Sequence, residues 1–171
     1  MKQRGLSMIE ILVTLTIVAF GLLGLLGLQA RALSYQKDSF DRKAAAELVA
    51  QLAERMRANH FGAFQGDYAN DFEPGDANIA AVTACAIPCN WTQVAVKDLD
   101  EWRIDLRRRI PLGASYIRWA AATREWTEVT LAWPEPQADT AAGQDAVCDQ
   151  LRAGGATLPM NYRCFRVRVF P

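Results

Sequence analysis

The chain has 171 residues, 22% of them charged, and its 19 basic and 19 acidic side chains cancel to a formal charge of +0. That balance argues against a nucleic-acid binder, whose affinity rests on releasing counterions, and no nucleic-acid partner is expected. Once a membrane segment is set aside, about 140 residues remain, enough for one compact domain.

The sequence opens Met1-Lys2-Gln3-Arg4-Gly5-Leu6-Ser7-Met8-Ile9-Glu10, and no Asp, Glu, Lys or Arg occurs from Ile11 to Ala30. As a helix, those roughly 20 residues span about 30 Å, the thickness of a hydrocarbon core. Lys2 and Arg4 precede the run, so the positive-inside tendency keeps the start in the cytoplasm and exports everything after Arg31. Glu10 is the anomaly, because an acid at the edge of a membrane helix costs a few kcal/mol unless it finds a partner, and so marks a functional position. A plain single-pass anchor is one alternative. A secretory signal cut near Ala30-Arg31-Ala32 is the other, and it would leave Glu10 at its start without a reason. Against it, the apolar run exceeds a typical signal core of about 7 to 15 residues, and helical periodicity continues through the cleavage site.

A basic leader ending in Gly5, then hydrophobic Leu6, polar Ser7, Glu10 at the fifth place after the glycine and an unbroken apolar run resembles the class III leader of type IV prepilins and pseudopilins. The resemblance implies that a membrane prepilin peptidase cuts after Gly5 and methylates the new amine on Leu6. It also implies that Glu10 docks onto the positive N-terminus of a neighbouring subunit, so that two poorly solvated charges neutralise each other. The family usually has Phe after the scissile glycine, where this chain has Leu6. Cleavage removes Lys2 and Arg4, leaving 17 basic against 19 acidic side chains, a charge of −2. The partners implied are other pilin subunits, major and minor, the peptidase, the inner membrane and the pilus assembly platform. The location implied is the inner membrane with a periplasmic head before assembly, and the pilus at the cell surface afterwards.

Beyond Gln29, apolar Leu33, Phe40, Ala44, Leu48, Leu52 and Met56 recur at spacings of three to four or their multiples, with charges elsewhere. No proline interrupts from Met1 to Glu73, so one helix from Ser7 to about Asn59 is expected, about 80 Å long. The expected division is a leader (1–5), a membrane or filament-core half-helix (6–30), an amphipathic half-helix (31–60) and an exported head (61–171). Gly21, Gly24 and Gly27 recur every three residues, which permits close helix contact or local unwinding.

From His60 to Asn90 the composition turns to Gly, Asp, Asn and Pro and reads as a long loop. Its aspartates lack the D-x-[DN]-x-[DN]-G spacing of a calcium loop, so solvated turns are expected and no cofactor or metal. Cys85, Cys89, Cys148 and Cys164 all lie in the exported part, where an oxidising compartment favours disulfides. Of the three possible pairings, Cys85 with Cys89 and Cys148 with Cys164 is the expected one, because each closes a local loop. A four-cysteine zinc site is the alternative, but paired C-x2-C knuckles are missing.

A second helix begins near Thr92 as its cap and carries Trp91, Ala95, Leu99, Trp102, Leu106 and Ile110 as its apolar stripe, until Pro111 and Gly113 end it. Asp98-Leu99-Asp100-Glu101-Trp102 and Ile110-Pro111-Leu112-Gly113 resemble the D-L-x-x-W and L-P-x-G patterns of minor pilins of the PilV kind, the pilus modification proteins, with Ile110 in place of the leucine. Three strands are expected at 115–121, 126–133 and 162–170, with Val129, Leu131 and Trp133 on one face, and Phe165, Val167 and Val169 opposed to Arg166 and Arg168. Pro134 and Pro136 end the middle one, and the Ala/Gly/Asp-rich stretch to Asn161 reads as a connection. The fold class expected is α+β, with a long N-terminal helix packed on a small antiparallel sheet, pilin-like, and a second helix in the head.

No catalytic motif is present, and the single histidine, His60, falls at the expected end of the long helix, so no enzyme is expected. Arg107-Arg108-Arg109 closes the second helix, where cations complement the helix dipole. The function expected is that of a minor pilin supporting pilus assembly and thereby adhesion or twitching motility. The alternatives are a pseudopilin of a type II secretion or DNA-uptake system, and a membrane-anchored periplasmic binding module.

Overall fold

A computed structural model describes residues 8–74, 82–85, 87–120, 125–135 and 145–171. The chain divides into two units, Met1–Phe40 and Asp41–Pro171. Helix α1 (Met8–Ala58) contributes to both. The described part of the first unit is helix throughout.

The second unit combines the rest of α1 with α2 (His60–Gln65), β1 (Asn70–Phe72), α3 (Trp91–Arg109), β2 (Ala114–Trp119), β3 (Thr127–Pro134), α4 (Ala146–Ala153) and β4 (Tyr162–Val169). Its strands form one antiparallel sheet in the order β1-β2-β3-β4. The fold is α+β, a long N-terminal helix packed on a four-stranded antiparallel sheet with further helices.

Alternation along the strands decides the core. Register aligns Ile117 with Val129 and Val129 with Val167, and sets Leu131 beside Phe165, so branched and aromatic side chains stack on one face. They meet Leu48, Leu52 and Met56 of α1 and Leu99, Trp102 and Leu106 of α3 in one cluster. The reverse face is covered at one end. There Ala114, Tyr116, Ala132 and Cys164 pack with Cys148 and Leu151 of α4 and with Leu158 and Tyr162.

Several sequence expectations change. The stretch 60–90 contains α2 and β1, whose anchors are the buried Tyr68 and Phe72, and β1 makes the sheet four strands wide rather than three. The connection before Asn161 contains α4, capped by Asp145, whose carboxylate accepts the Val147 amide at 3.0 Å. The N-cap of α3 is Asn90, not Thr92. Asn90 Oδ1 accepts the Gln93 amide at 2.8 Å and the Asn90 amide donates to Gln93 Oε1 at 3.1 Å, a reciprocal capping box. Thr92 instead donates its hydroxyl to Asp67. Trp91 lies off the buried stripe, half-exposed and edge-on to Phe61 at 4.6 Å. Leu33 and Phe40 are exposed, and burial along α1 begins at Ala45. His60 opens α2 rather than closing α1.

Among the described residues three positions have a left-handed backbone, Gly66, Leu112 and Gly155. Gly66 ends α2 at φ 85°, and a Cβ there would sit 2.7 Å from the Trp119 ring. Leu112 adopts φ 60° in the turn after α3, where Gly113 closes a hydrogen bond to the Ile110 carbonyl at 2.9 Å.

Candidate functional site

The first candidate is the apolar start of α1. From Met8 to Leu28 all fourteen large apolar side chains are exposed, including Leu12 at 62%, Phe20 at 70% and Leu28 at 65%. The helix is long and apolar enough to cross a membrane, and its most apolar window is 0% buried by the chain. A helix apolar on every side needs lipid or other apolar helices around it. Its polar atoms are arranged to match. Thr14 Oγ1 donates to the Ile11 carbonyl and Thr16 Oγ1 to the Leu12 carbonyl, each at 2.8 Å, so neither hydroxyl needs water. Thr14 and Thr16 had drawn no notice in the sequence, though Thr within an apolar run is the signal for such back-bonding.

Glu10 stands in the first turn of α1, exposed, where a carboxylate complements the helix dipole. It is the sole acidic or basic side chain between Met8 and Ala30. Among the described residues it has no ion-pair partner. Gly5 and Leu6 lie outside the described residues. Beside Gly21, Gly24 and Gly27 an added Cβ would meet nothing within 4 Å, so this side of the helix is open to a close neighbour.

The second candidate is the joint between α3 and the far half of α1, where the D-L-x-x-W residues fall. Asp98 accepts from Arg55 at 3.2 Å through one oxygen and from the Tyr68 hydroxyl at 2.5 Å through the other. Glu101 takes the same guanidinium at 2.7 Å. Leu99 is buried, and Trp102, fully buried, donates its indole N–H to the Leu48 carbonyl at 2.8 Å. The motif therefore welds α3 onto α1 by one aromatic anchor and one charged knot. Burial, reinforced by the hydrogen bond to Asp98, pushes the Tyr68 phenol well above the ordinary tyrosine pKa. Burial opposes the Arg55 charge, but Glu101 and Asp98 outweigh it and raise its pKa. Arg55 and Tyr68 are the knot residues that sequence reading missed, because their partners are 43 and 30 residues away.

The Ile110-Pro111-Leu112-Gly113 turn is held from the sheet, where the Tyr162 hydroxyl donates to the Leu112 carbonyl at 3.0 Å. Of the three arginines closing α3, Arg107 and Arg109 reach other elements of the chain, and Arg108 is exposed beside its helix neighbour Asp105. Arg107 donates to the Glu73 and Pro74 carbonyls with its guanidinium 4.5 Å over the Phe72 ring, Arg108 pairs with Asp105, and Arg109 with Glu47. Asp67 and Asp71 are likewise engaged, by Thr92 and Arg118. His60 stacks on Phe64, a structural contact.

The sulfurs join as Cys85–Cys89 and Cys148–Cys164. The second bridge ties α4 to β4 inside the smaller core. Four cysteines in two bridges leave no thiolate for a zinc site.

An apolar stretch of helix bearing one acid, joined in sequence to an α+β head clamped by disulfides, is consistent with anchoring in a membrane through the N-terminal helix. Residues 1–26 match the model of the prokaryotic N-terminal methylation motif, and residues 27–100 match the model of type IV pilin Tt1218. Together these cover the first 100 of the 171 residues, and the chain belongs to the type IV pilin family. The family is one of structural subunits. No curated protein and no solved structure matches the chain.

Proposed function

We propose that this chain is a minor pilin of the PilV kind, made as a prepilin and incorporated into a type IV pilus whose initiation and assembly it supports, and through it adhesion or twitching motility. The observation that carries the proposal is the run of uncovered apolar side chains from Met8 to Leu28, broken only by the Glu10 carboxylate at its head. The methylation-motif match over residues 1–26 supports it. In this reading, residues 1–5 are a leader removed by the prepilin peptidase, Leu6 becomes the methylated N-terminus, and residues 6–30 sit in the inner membrane until assembly, with residues 61–171 as a periplasmic head. Glu10 then pairs with the amine of a neighbouring pilin, major or minor, in surroundings where each charge alone is costly. The placing of Asp98, Leu99 and Trp102 at the α1–α3 joint supports a role for the D-L-x-x-W residues as the head's fastening.

The test is the mature protein's own terminus together with one substitution. Intact-mass and N-terminal sequencing are expected to find Leu6 first and singly methylated, and Glu10→Val is expected to abolish entry into pili while leaving the membrane-bound pool intact. A native chain starting elsewhere, or pili containing Glu10→Val at the normal level, overturns the proposal. Pseudopilins share the leader and long helix, so deletion separates the two readings: loss of surface pili with secretion and DNA uptake intact supports a pilus subunit, and the reverse outcome defeats it.

A further inference from the structure

The sheet's two edges are unlike. β1, at one edge, is 3 residues long and is followed closely by Pro74, the usual way of blunting an edge. β4, at the other, runs 8 residues without proline or lysine, and among the described residues no strand pairs with its second side. Such an edge offers a row of backbone donors and acceptors to an incoming strand. Beside it lies a groove of about 440 Å³ between β4 and the far half of α1. Val167, Val169 and Phe170 form one wall and Val49, Ala50 and Ala53 the other, with Glu54, Arg57 and Arg168 also contributing to the lining. The small side chains on α1 keep it wide, and Phe170 at its mouth is 61% exposed.

The opposite face of β4 is cationic. Arg166 is held by Glu128 at 3.3 Å and by Gln150, whereas Arg168 lies over the Trp126 ring at 4.5 Å and has no ion pair among the described residues. This pattern favours an acidic occupant, and in the register centred on Val167 it disfavours a second copy. A second copy pairing antiparallel about Val167 would bring Arg166 opposite Arg168 twice over, a juxtaposition of like charges that destabilises strand pairing. A strand with apolar side chains at alternate positions and carboxylates between them would fill the groove on one face and meet Arg168 on the other.

We propose that β4 is a docking edge that accepts, by strand addition, an extended segment of a different chain in which apolar and acidic residues alternate. The inference concerns the head and does not depend on how the N-terminus is processed, so it stands or falls apart from the pilus reading.

The test uses the full chain in detergent micelles and three synthetic ten-residue peptides: alternating Val-Glu, alternating Val-Lys, and Val-Glu with every second amide N-methylated on the side that would face β4. Binding is read by fluorescence anisotropy, and protection of β4 by amide hydrogen exchange. The Val-Glu peptide is expected to bind at least tenfold more tightly than either control, and to slow exchange within Tyr162–Val169. Arg168→Glu, at an exposed position, is expected to reverse the preference in favour of Val-Lys. Equal binding of all three peptides, binding without protection of β4, or no binding at all overturns the proposal. So does sedimentation showing the free chain to be a dimer whose β4 amides are already protected.

Discussion

Tyr68 offers a severe test of the knot between α1 and α3. Its hydroxyl donates to Asp98 at 2.5 Å, and Tyr116 makes the same kind of bond to Glu73 at 2.7 Å. Ionising either phenol in the fold would set two anions in contact in a poorly solvated place, and both are held well above the ordinary tyrosine pKa by burial first and by the carboxylate second. Tyr162 is raised too, through burial. The unfolded chain releases these protons from about pH 10, whereas the folded chain keeps them, so their contribution is complete below pH 10 and is lost as pH rises toward the folded values. Each retained proton costs about 1.4 kcal/mol of stability per pH unit once the unfolded phenol has ionised, so Tyr68 and Tyr116 together remove about 3 kcal/mol for each pH unit above about pH 10, with Tyr162 adding in the same sense. The assay is a set of denaturant midpoints for the micelle-solubilised chain across that range, with phenolate absorbance recorded alongside. Tyr68→Phe is expected to take away about half of the decline assigned to the pair. At neutral pH it is expected to cost about 1.5 to 3 kcal/mol, the range for a hydrogen bond to a charged group. Phenols that titrate near pH 10 with the fold intact would refute the reasoning.

Trp102→Ala, which empties a fully buried site and removes the bond to Leu48, is expected to cost about 3 to 5 kcal/mol in chemical denaturation. Replacing both Cys148 and Cys164 by serine opens a loop spanning 16 residues of sequence and is expected to cost about 3 kcal/mol, more than the same change at Cys85 and Cys89, with separation 4. Non-reduced intact mass on the wild-type chain should show no free thiol. Gly66→Ala and Gly155→Ala both force a left-handed backbone, but only the first drives a Cβ into a ring, Trp119, so its thermal unfolding should fall further. A chain beginning near residue 41 should fold and stay soluble without detergent, because the buried core starts at Ala45, and its near-ultraviolet circular dichroism should retain the Trp102 environment.

How much of this was legible in the sequence follows from the length of each signal. α3 and the strands β3 and β4 carry five or more residues of clear period, and β2, though without alternation, lies between turn residues and β3, so each could be placed from sequence to within a few residues. β1 offers only Asn70-Asp71-Phe72, two of them poor strand formers, and it pairs because Ile117, Tyr116 and Ser115 supply the partner edge. α4 hides in an Ala/Gly/Asp-rich stretch, and two of its eight residues, Cys148 and Leu151, are buried, too few to show a stripe. Leu33 and Phe40 keep helical spacing yet face outward, since periodicity reports a face and not what covers it. At the candidate site, Glu10 was conspicuous because charge is so rare there. Arg55 and Tyr68 were not, because each is unremarkable until the fold brings Asp98 to them.

The two stretches of α1 answer to different surroundings, and magnitudes show why one helix can carry both. Fully covering a Leu, Ile, Val, Met or Phe side chain contributes about 1.5 to 3 kcal/mol, so the fourteen exposed ones from Met8 to Leu28 stand for roughly 20 to 40 kcal/mol of unrealised burial. The net stability of a domain is only about 5 to 15 kcal/mol. A head of this size therefore has no means of compensating the N-terminal stretch in water, and that stretch takes its stability from whatever apolar medium surrounds it. From Ala45 onward the logic reverses: Leu48, Leu52 and Met56 are fully covered by the chain's own residues, and the polar positions between them carry Glu47 and Glu54, which pair with Arg109 and Arg57. Where the surroundings supply the burial, sequence constrains only apolarity and the few polar atoms that must be satisfied within the helix, as Thr14 and Thr16 are. That makes Glu10 the one position in the stretch whose chemistry the surroundings alone do not explain, and hence the one whose substitution tells most about what the helix packs against.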